Sequence, residues 1–238
     1  MNARLHSYRN NYEAFTDPLW RDTVLTPLGQ DQARALVGDA RLAAAELIVC
    51  SPLTRALRTC ELAYGGGPEG LPAGARVVAE PLAREKMWHS SDVGRPTRQL
   101  VEEYPFIDFS RLASDWWQWG ADSGERRRRI DAYISGGDAV TCTPPEEPSE
   151  EFALRCLALI GFLEEQRAAS IAVFCHWGVI AQLTGEDPRN CDVVTVGHAR
   201  SCGASKLRSF YEEHVRGPGN SCEMWRRVLA GESRPKVS

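Results

Sequence analysis

The stretch ELIVCSPLTR (residues 46–55) predicts how this chain folds. It begins with a short apolar run, which is typical of a buried strand, and Ser-Pro ends that run. The residues that follow, 53–64, place their apolar side chains at helical spacing. A strand that leads directly into a helix is the repeating unit of a parallel α/β sheet.

Two other stretches predict strands of the same sheet. The run IAVFC (171–175) is the clearest strand in the sequence and leads through HWG into a helix, and ARVVAEPL (75–82) is a second short strand. The sequence therefore predicts an α/β fold of three layers, α/β/α, with a mostly parallel sheet covered by helices on both faces.

Further elements follow from caps and spacing. We predict a helix over 26–45 with Thr26 as its N-cap and Pro27 as its first residue. We predict another over 150–166, capped by Ser149 and with Glu150 and Glu151 in its first turn. A late strand is expected over 191–199.

Ligands of such sheets bind beyond the carboxyl ends of the strands, so the residues that follow the strands are the site candidates. Arg55 lies in the first turn of a helix, where a guanidinium beside free backbone N–H groups can bind a phosphate or carboxylate. His176 directly follows the clearest strand, and Gly178 allows a sharp turn with exposed N–H groups. The plain alternatives are a surface arginine paired with an acid and a histidine bonded to backbone in the core.

Glu85 follows the 75–82 strand. A carboxylate beside an anion site repels the anion unless it carries a proton, which suits a general acid with a raised pKa. The alternative is a solvated glutamate, and Glu80 is the nearest competitor for the same place.

Composition limits the function classes. The 238 residues fit one large domain or two small ones, and a net charge of −4 argues against a general nucleic-acid binder. Eight cysteines form no C-x-x-C pair and lie mostly in apolar stretches, which predicts free thiols in a reducing compartment, the cytoplasm. No signal peptide or long apolar run suggests a membrane partner, and neither metal-ligand spacing nor a nucleotide-binding glycine loop predicts a metal or cofactor.

Residues 86–150 have looser patterns than the rest. We interpret them as an insertion within a single domain, 1–238, that covers the site and sets its specificity. Trp88, His89, Arg95 and, beyond the insertion, Trp177 are the candidates for lining the substrate. The cluster Trp116-Trp117-Trp119 is a further candidate, with packing of the insertion as the alternative.

Four motifs in order, L-T-P-L-G-x-x-Q-A, S-P-L-x-R-A-x-R-T, L-x-R-E and H-W-G, resemble the histidine phosphatase superfamily, the phosphoglycerate mutase-like proteins, over roughly 25–200. The resemblance implies hydrolysis of a phosphomonoester, on a small molecule or a phosphoprotein, through a phosphohistidine. It implies that Arg55 clamps the phosphate, that His176 is the second histidine of the pocket and that Glu85 is the proton donor.

The hallmark of that family, R-H-G at the end of a first strand with Asn four residues later, is not in this sequence. His6 is the only early histidine and no apolar strand precedes it. If Asn2 is the family's phosphate-binding asparagine, we expect the first strand, the nucleophile and one arginine to be missing, about 10–20 residues. One hypothesis is a phosphohydrolase with a misassigned or truncated start. The other is a pseudoenzyme that binds a phosphorylated ligand or a partner without turnover. A generic Rossmann-like binding domain is a third.

Overall fold

Three parallel strands form the sheet that positions the site. The computed structural model describes residues 20–118 and 146–196, together with residues 128 and 132. The strands, in the spatial order β2-β1-β3, are β1 (Leu47–Cys50), β2 (Arg76–Ala79) and β3 (Ile171–Phe174). Cys50 is in register with both Ala79 and Phe174, so the three carboxyl ends meet at one edge. The predicted strands over 46–51, 75–82 and 171–175 are confirmed.

Helices connect and cover these strands. Those with described bounds are α1 (Pro27–Arg34), α2 (Ala40–Ala43), α3 (Thr54–Ala63), α4 (Thr97–Glu103), α5 (Ser149–Glu164) and α6 (Trp177–Thr184). Short 3-10 turns lie at Pro68–Gly70, Pro81–Ala83, Ser90–Asp92 and Trp116–Gln118. Thr26 caps α1 as predicted, because its side chain accepts the N–H of Gly29 at 3.1 Å. The helix expected over 26–45 is interrupted before α2 at Gly38, whose φ of +84° is in the left-handed region.

The two faces of β1 contact different helices. Ile48 and Cys50 belong to a buried cluster with side chains of α3, including Leu57. Leu47 and Val49 belong to a second cluster with side chains of α5 and α6, which include Phe152, Leu159 and Val179. Alternate side chains of a strand point to opposite faces, so helices cover both faces of the sheet. The predicted three-layer α/β/α arrangement with a parallel sheet is confirmed.

The described part of the 86–150 region packs onto this core. Asp108 pairs with β2, accepting the N–H of Ala79 at 2.9 Å and donating its own to the carbonyl of Val77 at 2.9 Å. Trp116 and Trp117 are buried in the cluster that contains Ile48, with ring centroids 5.7 Å apart. These two tryptophans are therefore core residues, and Trp119 lies outside the described residues. The single domain and the covering insertion stay predictions.

Two predictions about local structure are wrong. Residues 191–196 form a turn and irregular chain where the late strand was expected, and 197–199 lie outside the described residues. Asp192 accepts the N–H of Arg189 at 2.7 Å, so a local side-chain bond takes up backbone that a strand would need. Pro148 is the N-cap of α5, not Ser149, whose hydroxyl instead accepts a bond from Lys86 Nζ at 3.1 Å. Glu150 and Glu151 do lie in the first turn.

The cysteines within the described residues are free thiols, as the sequence predicts. They are Cys50, Cys60 and Cys156, which are buried, and Cys175 and Cys191, which are partly buried. Cys142, Cys202 and Cys222 lie outside the described residues. Within the same limits, no helix has both the length and the apolar character needed to cross a bilayer.

Candidate active site

The carboxyl ends of the strands bring Arg55, Glu85 and His176 together. Arg55 is the second residue of α3, Glu85 follows the 3-10 turn after β2, and His176 lies two residues beyond β3. The backbone N–H of Gly178 donates to Glu85 Oε2 at 3.3 Å, and the charge of Arg55 acts on the pKa of both Glu85 and His176. The convergence expected from the strand ends is therefore present, and the catalytic roles of these residues stay predictions.

His176 is a buried, neutral imidazole. Its Nε2 lies 2.7 Å from the hydroxyl oxygen of Ser51, the first residue after β1. Burial holds the pKa of His176 well below its ordinary value of 6.5, and the positive charges of Arg55 and Arg155 lower it further. Ser51 was not predicted as a site residue from the sequence, although it directly follows the apolar run of a predicted strand, where ligands of such sheets bind.

Glu85 is a carboxyl group that exchanges its proton near neutral pH. Its Oε1 accepts the N–H of Lys86 at 2.8 Å. Loss of surrounding water raises the pKa of Glu85 to about 7, the charge of Asp92 adds to the rise, and Arg55 and the two backbone donors oppose it. A carboxyl with this pKa can both donate and accept a proton at neutral pH, as a general acid–base must.

Gly178 is needed for close approach and not for a turn. A Cβ at this position would lie 2.4 Å from Glu85 Oε1. The residue lies inside α6 and does not have a positive φ. The predicted sharp turn with exposed N–H groups is therefore wrong, since the N–H of Gly178 is bonded to Glu85.

Arg55 donates to two acceptors in the 3-10 turn Ser90–Asp92. Its Nη1 donates to the carbonyl of Ser91 at 2.8 Å, and its Nη2 donates to Asp92 Oδ1 at 2.8 Å. A guanidinium has five N–H donors. The side chain makes no other bond within the described residues, so its remaining donors have no partner among those residues.

The start of α3 is less open than predicted. Asp22 is buried, and its Oδ1 accepts the backbone N–H of Thr54 at 2.8 Å while its Oδ2 accepts the Thr54 hydroxyl at 2.6 Å. Burial raises the pKa of Asp22, against the opposing effect of these bonds. The expectation that an anion meets free N–H groups here is wrong for Thr54, because a carboxylate of the chain already caps it.

The residues predicted to line the substrate have the following contacts. Trp88 is exposed, with Lys86 Nζ 4.4 Å from its ring centroid, and His89 is partly exposed beside it. Arg95 donates to Asp22 at 3.0 Å, to Thr54 at 2.7 Å and to Glu103 at 2.8 Å, so acidic and hydroxyl groups of the chain already engage it. Trp177 is 49% exposed and donates to Asp187 at 2.7 Å. Asn2 and His6 lie outside the described residues.

A buried ion network holds the segment that carries Glu85. Arg155 is fully buried and donates to the carbonyls of Leu82, Arg84 and Glu85 at 2.8, 2.7 and 3.2 Å. Glu147 accepts bonds from Arg155 at 2.7 Å and from Arg84 at 2.9 Å. Burial alone would raise the pKa of Glu147, but the two arginines outweigh it and hold that pKa far below its usual range. This network was not predicted from the sequence. The signal that could have found it is Arg155, a charged residue within the apolar pattern of the helix predicted over 150–166.

Two other ionisable residues near the strand ends, Glu80 and Cys50, are buried. Glu80 is buried, accepts the N–H of Leu82 at 3.0 Å and pairs with Arg111 Nε at 2.5 Å. Cys50 is fully buried, and burial holds the pKa of its thiol well above 9.0, so it remains protonated. Among the residues that the structure describes, no group of three or more potential ligands is placed to hold a metal ion.

The α/β fold thus places a guanidinium, a carboxyl group and an imidazole at the strand ends, where proteins with such sheets bind their ligands. Residues 18–189 match the histidine phosphatase superfamily (branch 1), so this chain belongs to that superfamily. It is 24% identical over 208 residues to a phosphoglycerate mutase-like protein of Arabidopsis thaliana, covering 76% of this chain and 69% of that protein. The crystal structure of TTHB049 from Thermus thermophilus matches with 24% identity and a TM-score of 0.36, covering 71% of this chain and 74% of that one.

Proposed function

We propose that Arg55, Glu85 and His176 form the phosphate-holding and proton-transferring part of a phosphohydrolase of the histidine phosphatase type. The observation that carries the proposal is their convergence at the ends of three adjacent parallel strands, with a carboxyl of pKa about 7 beside an arginine. The substrate is a phosphomonoester, on a small molecule or a phosphoprotein. The net charge of −4 favours neither nucleic acid nor an acidic membrane as partner.

Each group has a part that its surroundings support. Arg55 supplies N–H donors and a fixed positive charge to the phosphoryl oxygens, whose charge must be stabilised during transfer. His176 is neutral when no anion is near, and an arriving phosphate favours its protonated form, which adds a second donor. Glu85, when protonated, gives its proton to the leaving oxygen as the P–O bond breaks.

Turnover in this scheme needs a nucleophile. A histidine nitrogen forms a bond to phosphorus while the leaving oxygen departs with the proton of Glu85. Water then attacks phosphorus, Glu85 takes a proton from that water, and the N–P bond breaks. The 238 residues contain no R-H-G, and Nε2 of His176 already lies against Ser51. We therefore propose that an R-H-G histidine must be added to these residues before the pocket can turn over a substrate.

A second candidate function follows from the same absence of R-H-G. In it, this chain binds a phosphorylated ligand or a phosphorylated partner and does not cleave it. The two candidates differ in what the codons upstream of Met1 encode. A chain extended by an in-frame strand that ends in R-H-G is expected to hydrolyse phosphomonoesters, whereas an in-frame stop codon favours the binding function.

Phosphate binding by the 238-residue chain tests the pocket itself. We expect inorganic phosphate to bind, measured by calorimetry, and Arg55→Ala to weaken that binding strongly while leaving a measurable remainder. The matched control is Arg58→Ala on the same helix, because Arg58 pairs with Glu61 and is expected to leave phosphate binding unchanged. Equal binding by Arg55→Ala and the unaltered chain would contradict the phosphate pocket and favour a generic binding domain.

Turnover is tested separately. We expect no hydrolysis of an aryl phosphate by the 238-residue chain. Clear hydrolysis that His176→Ala abolishes would show that the nucleophile is present after all. A cytoplasmic location is part of the proposal, and the free, buried thiols of Cys50, Cys60 and Cys156 are compatible with it.

A further inference from the structure

The 3-10 turn Ser90–Asp92 contacts the guanidinium of Arg55 at two points. Asp92 Oδ1 accepts a bond from Nη2 at 2.8 Å, and the backbone carbonyl of Ser91 accepts a bond from Nη1 at 2.8 Å. The pair is shielded from water, since the side chains of Arg55 and Asp92 are only 17% and 6% exposed. Two acceptors from adjacent residues fix a planar group in direction as well as in position.

Asp92 is itself held by the backbone. Its second oxygen, Oδ2, accepts the N–H groups of Trp88 and His89, each at 3.1 Å. Both carboxylate oxygens are therefore engaged, one by the backbone that follows Glu85 and one by Arg55. Because the backbone fixes the position of this carboxylate, the bond to Asp92 also fixes the orientation of the Arg55 guanidinium.

We infer that Asp92 is a positioning residue for Arg55. Its carboxylate and the carbonyl of Ser91 each hold one of the five guanidinium N–H groups, so that the others serve a phosphoryl oxygen. The inference rests on the proposed phosphate pocket. A carboxylate this close to an anion site also repels the anion, and the two backbone donors and Arg55 offset that charge. The same charge helps to raise the pKa of Glu85, which keeps the proton donor loaded beside the arginine that Asp92 orients.

A double-mutant cycle separates positioning from a merely structural ion pair. Asp92→Asn keeps the shape of the side chain and removes its charge. We expect it to weaken binding of inorganic phosphate about tenfold, which corresponds to one poorly aligned charged contact. In an Arg55→Ala background the same change should have no further effect, because the residue through which Asp92 acts is gone. The control is Asp31→Asn, which breaks an exposed pair with Arg34 at 2.9 Å and should leave phosphate binding unchanged.

A spectroscopic readout tests the orientation without a ligand. We expect separate ¹⁵N signals for the two Nη groups of Arg55 in the unaltered chain, since both are bonded, and averaged signals in Asp92→Asn. Three outcomes would each overturn the inference. The Arg55 signals could be unchanged in Asp92→Asn, that change could weaken phosphate binding equally with and without Arg55, or it could tighten phosphate binding. If the unaltered chain binds no phosphate, the proposed pocket fails together with the phosphoryl role of the free donors, and the Arg55 signals then decide only whether Asp92 orients Arg55. If Asp92→Asn does not fold, Asp92→Glu, which moves the carboxylate by one methylene, takes its place with the same expected loss.

Discussion

The carboxyl group of Glu85 lies directly against the backbone of Gly178, with Oε2 3.3 Å from its nitrogen. There is no room for a side chain between them, because a Cβ on Gly178 would lie 2.4 Å from Glu85 Oε1. The glycine of the H-W-G motif and the glutamate of the L-x-R-E motif are therefore two halves of one contact, although 93 positions separate them in the sequence.

Gly178→Ala is expected to displace Glu85 while leaving the fold intact. The atom that must move is the end of a flexible side chain, and alanine favours the helix, so the free energy of unfolding should change by less than about 1 kcal/mol. The titration of Glu85 should change instead, as measured by carboxyl ¹³C NMR. The control is Gly161→Ala in α5, where a Cβ meets nothing within 4 Å. A Gly178→Ala protein with an unaltered Glu85 titration would contradict the close contact.

Glu85 is expected to titrate with a midpoint near 7 in the folded chain, against an ordinary value of 4.5. Between these values the folded state holds a proton that the unfolded state has released. Glu85 therefore makes the free energy of unfolding fall as the pH rises through that window. Urea unfolding at about pH 5 and about pH 7.5 should show this loss, and Glu85→Gln should remove it. The same pH dependence in both proteins would count against the raised pKa.

His176 is expected to remain neutral at about pH 6, because its pKa lies below 6.5 in the folded state. The unfolded chain binds the proton first, so this group's contribution to stability is present above 6.5 and falls as the pH is lowered. Added phosphate should raise the pKa of His176, which ¹⁵N NMR of the imidazole measures. A fully protonated imidazole in phosphate-free protein at that pH would contradict the prediction.

Ser51→Ala is expected to change the ¹⁵N pattern of the His176 ring, since Ser51 Oγ is the partner of Nε2 at 2.7 Å. The control is Ser114→Ala, which removes an exposed hydroxyl that donates to Asp115 Oδ1 at 3.5 Å. This change should not alter the ring signals of His176. An identical His176 pattern in both variants would mean that the hydroxyl does not set the state of the ring.

The strand ends could be predicted from the sequence because local pattern determines them. Apolar runs define β1, β2 and β3, and parallel pairing then forces the residues after them to one edge, which is how Arg55, Glu85 and His176 were found. The partners of these residues could not be predicted in the same way. Asp92 bonds to Arg55 across 37 positions of sequence, Asp22 to Thr54 across 32, and Arg155 to Glu85 across 70. Only tertiary packing creates these contacts.

Predictions failed where a local side-chain bond or a close approach outweighed a pattern. The run 191–196 is apolar enough for a strand, yet the Asp192 side chain closes a turn with Arg189. Gly178 was interpreted from the usual freedom of glycine, whereas the absence of a Cβ is what the structure uses. Side-chain caps and close approaches of this kind leave no periodic signal in the sequence.

Glu147→Gln is expected to destabilise the fold strongly, because it leaves the buried charges of Arg84 and Arg155 without their carboxylate. Breaking a buried ion pair from one side costs about 3–5 kcal/mol. The pKa of Glu147 is held well below 4.5, so its stabilising effect is present above that pH and is lost as the pH falls further. The control is the neighbouring Glu146→Gln, whose side chain is 62% exposed and pairs with Lys86 at 3.1 Å. Urea unfolding of the two variants should therefore differ by several kcal/mol, about the size of the buried-pair cost. Equal stabilities would show that the arginines of the network do not depend on Glu147, and that the segment carrying Glu85 is held by its backbone bonds alone.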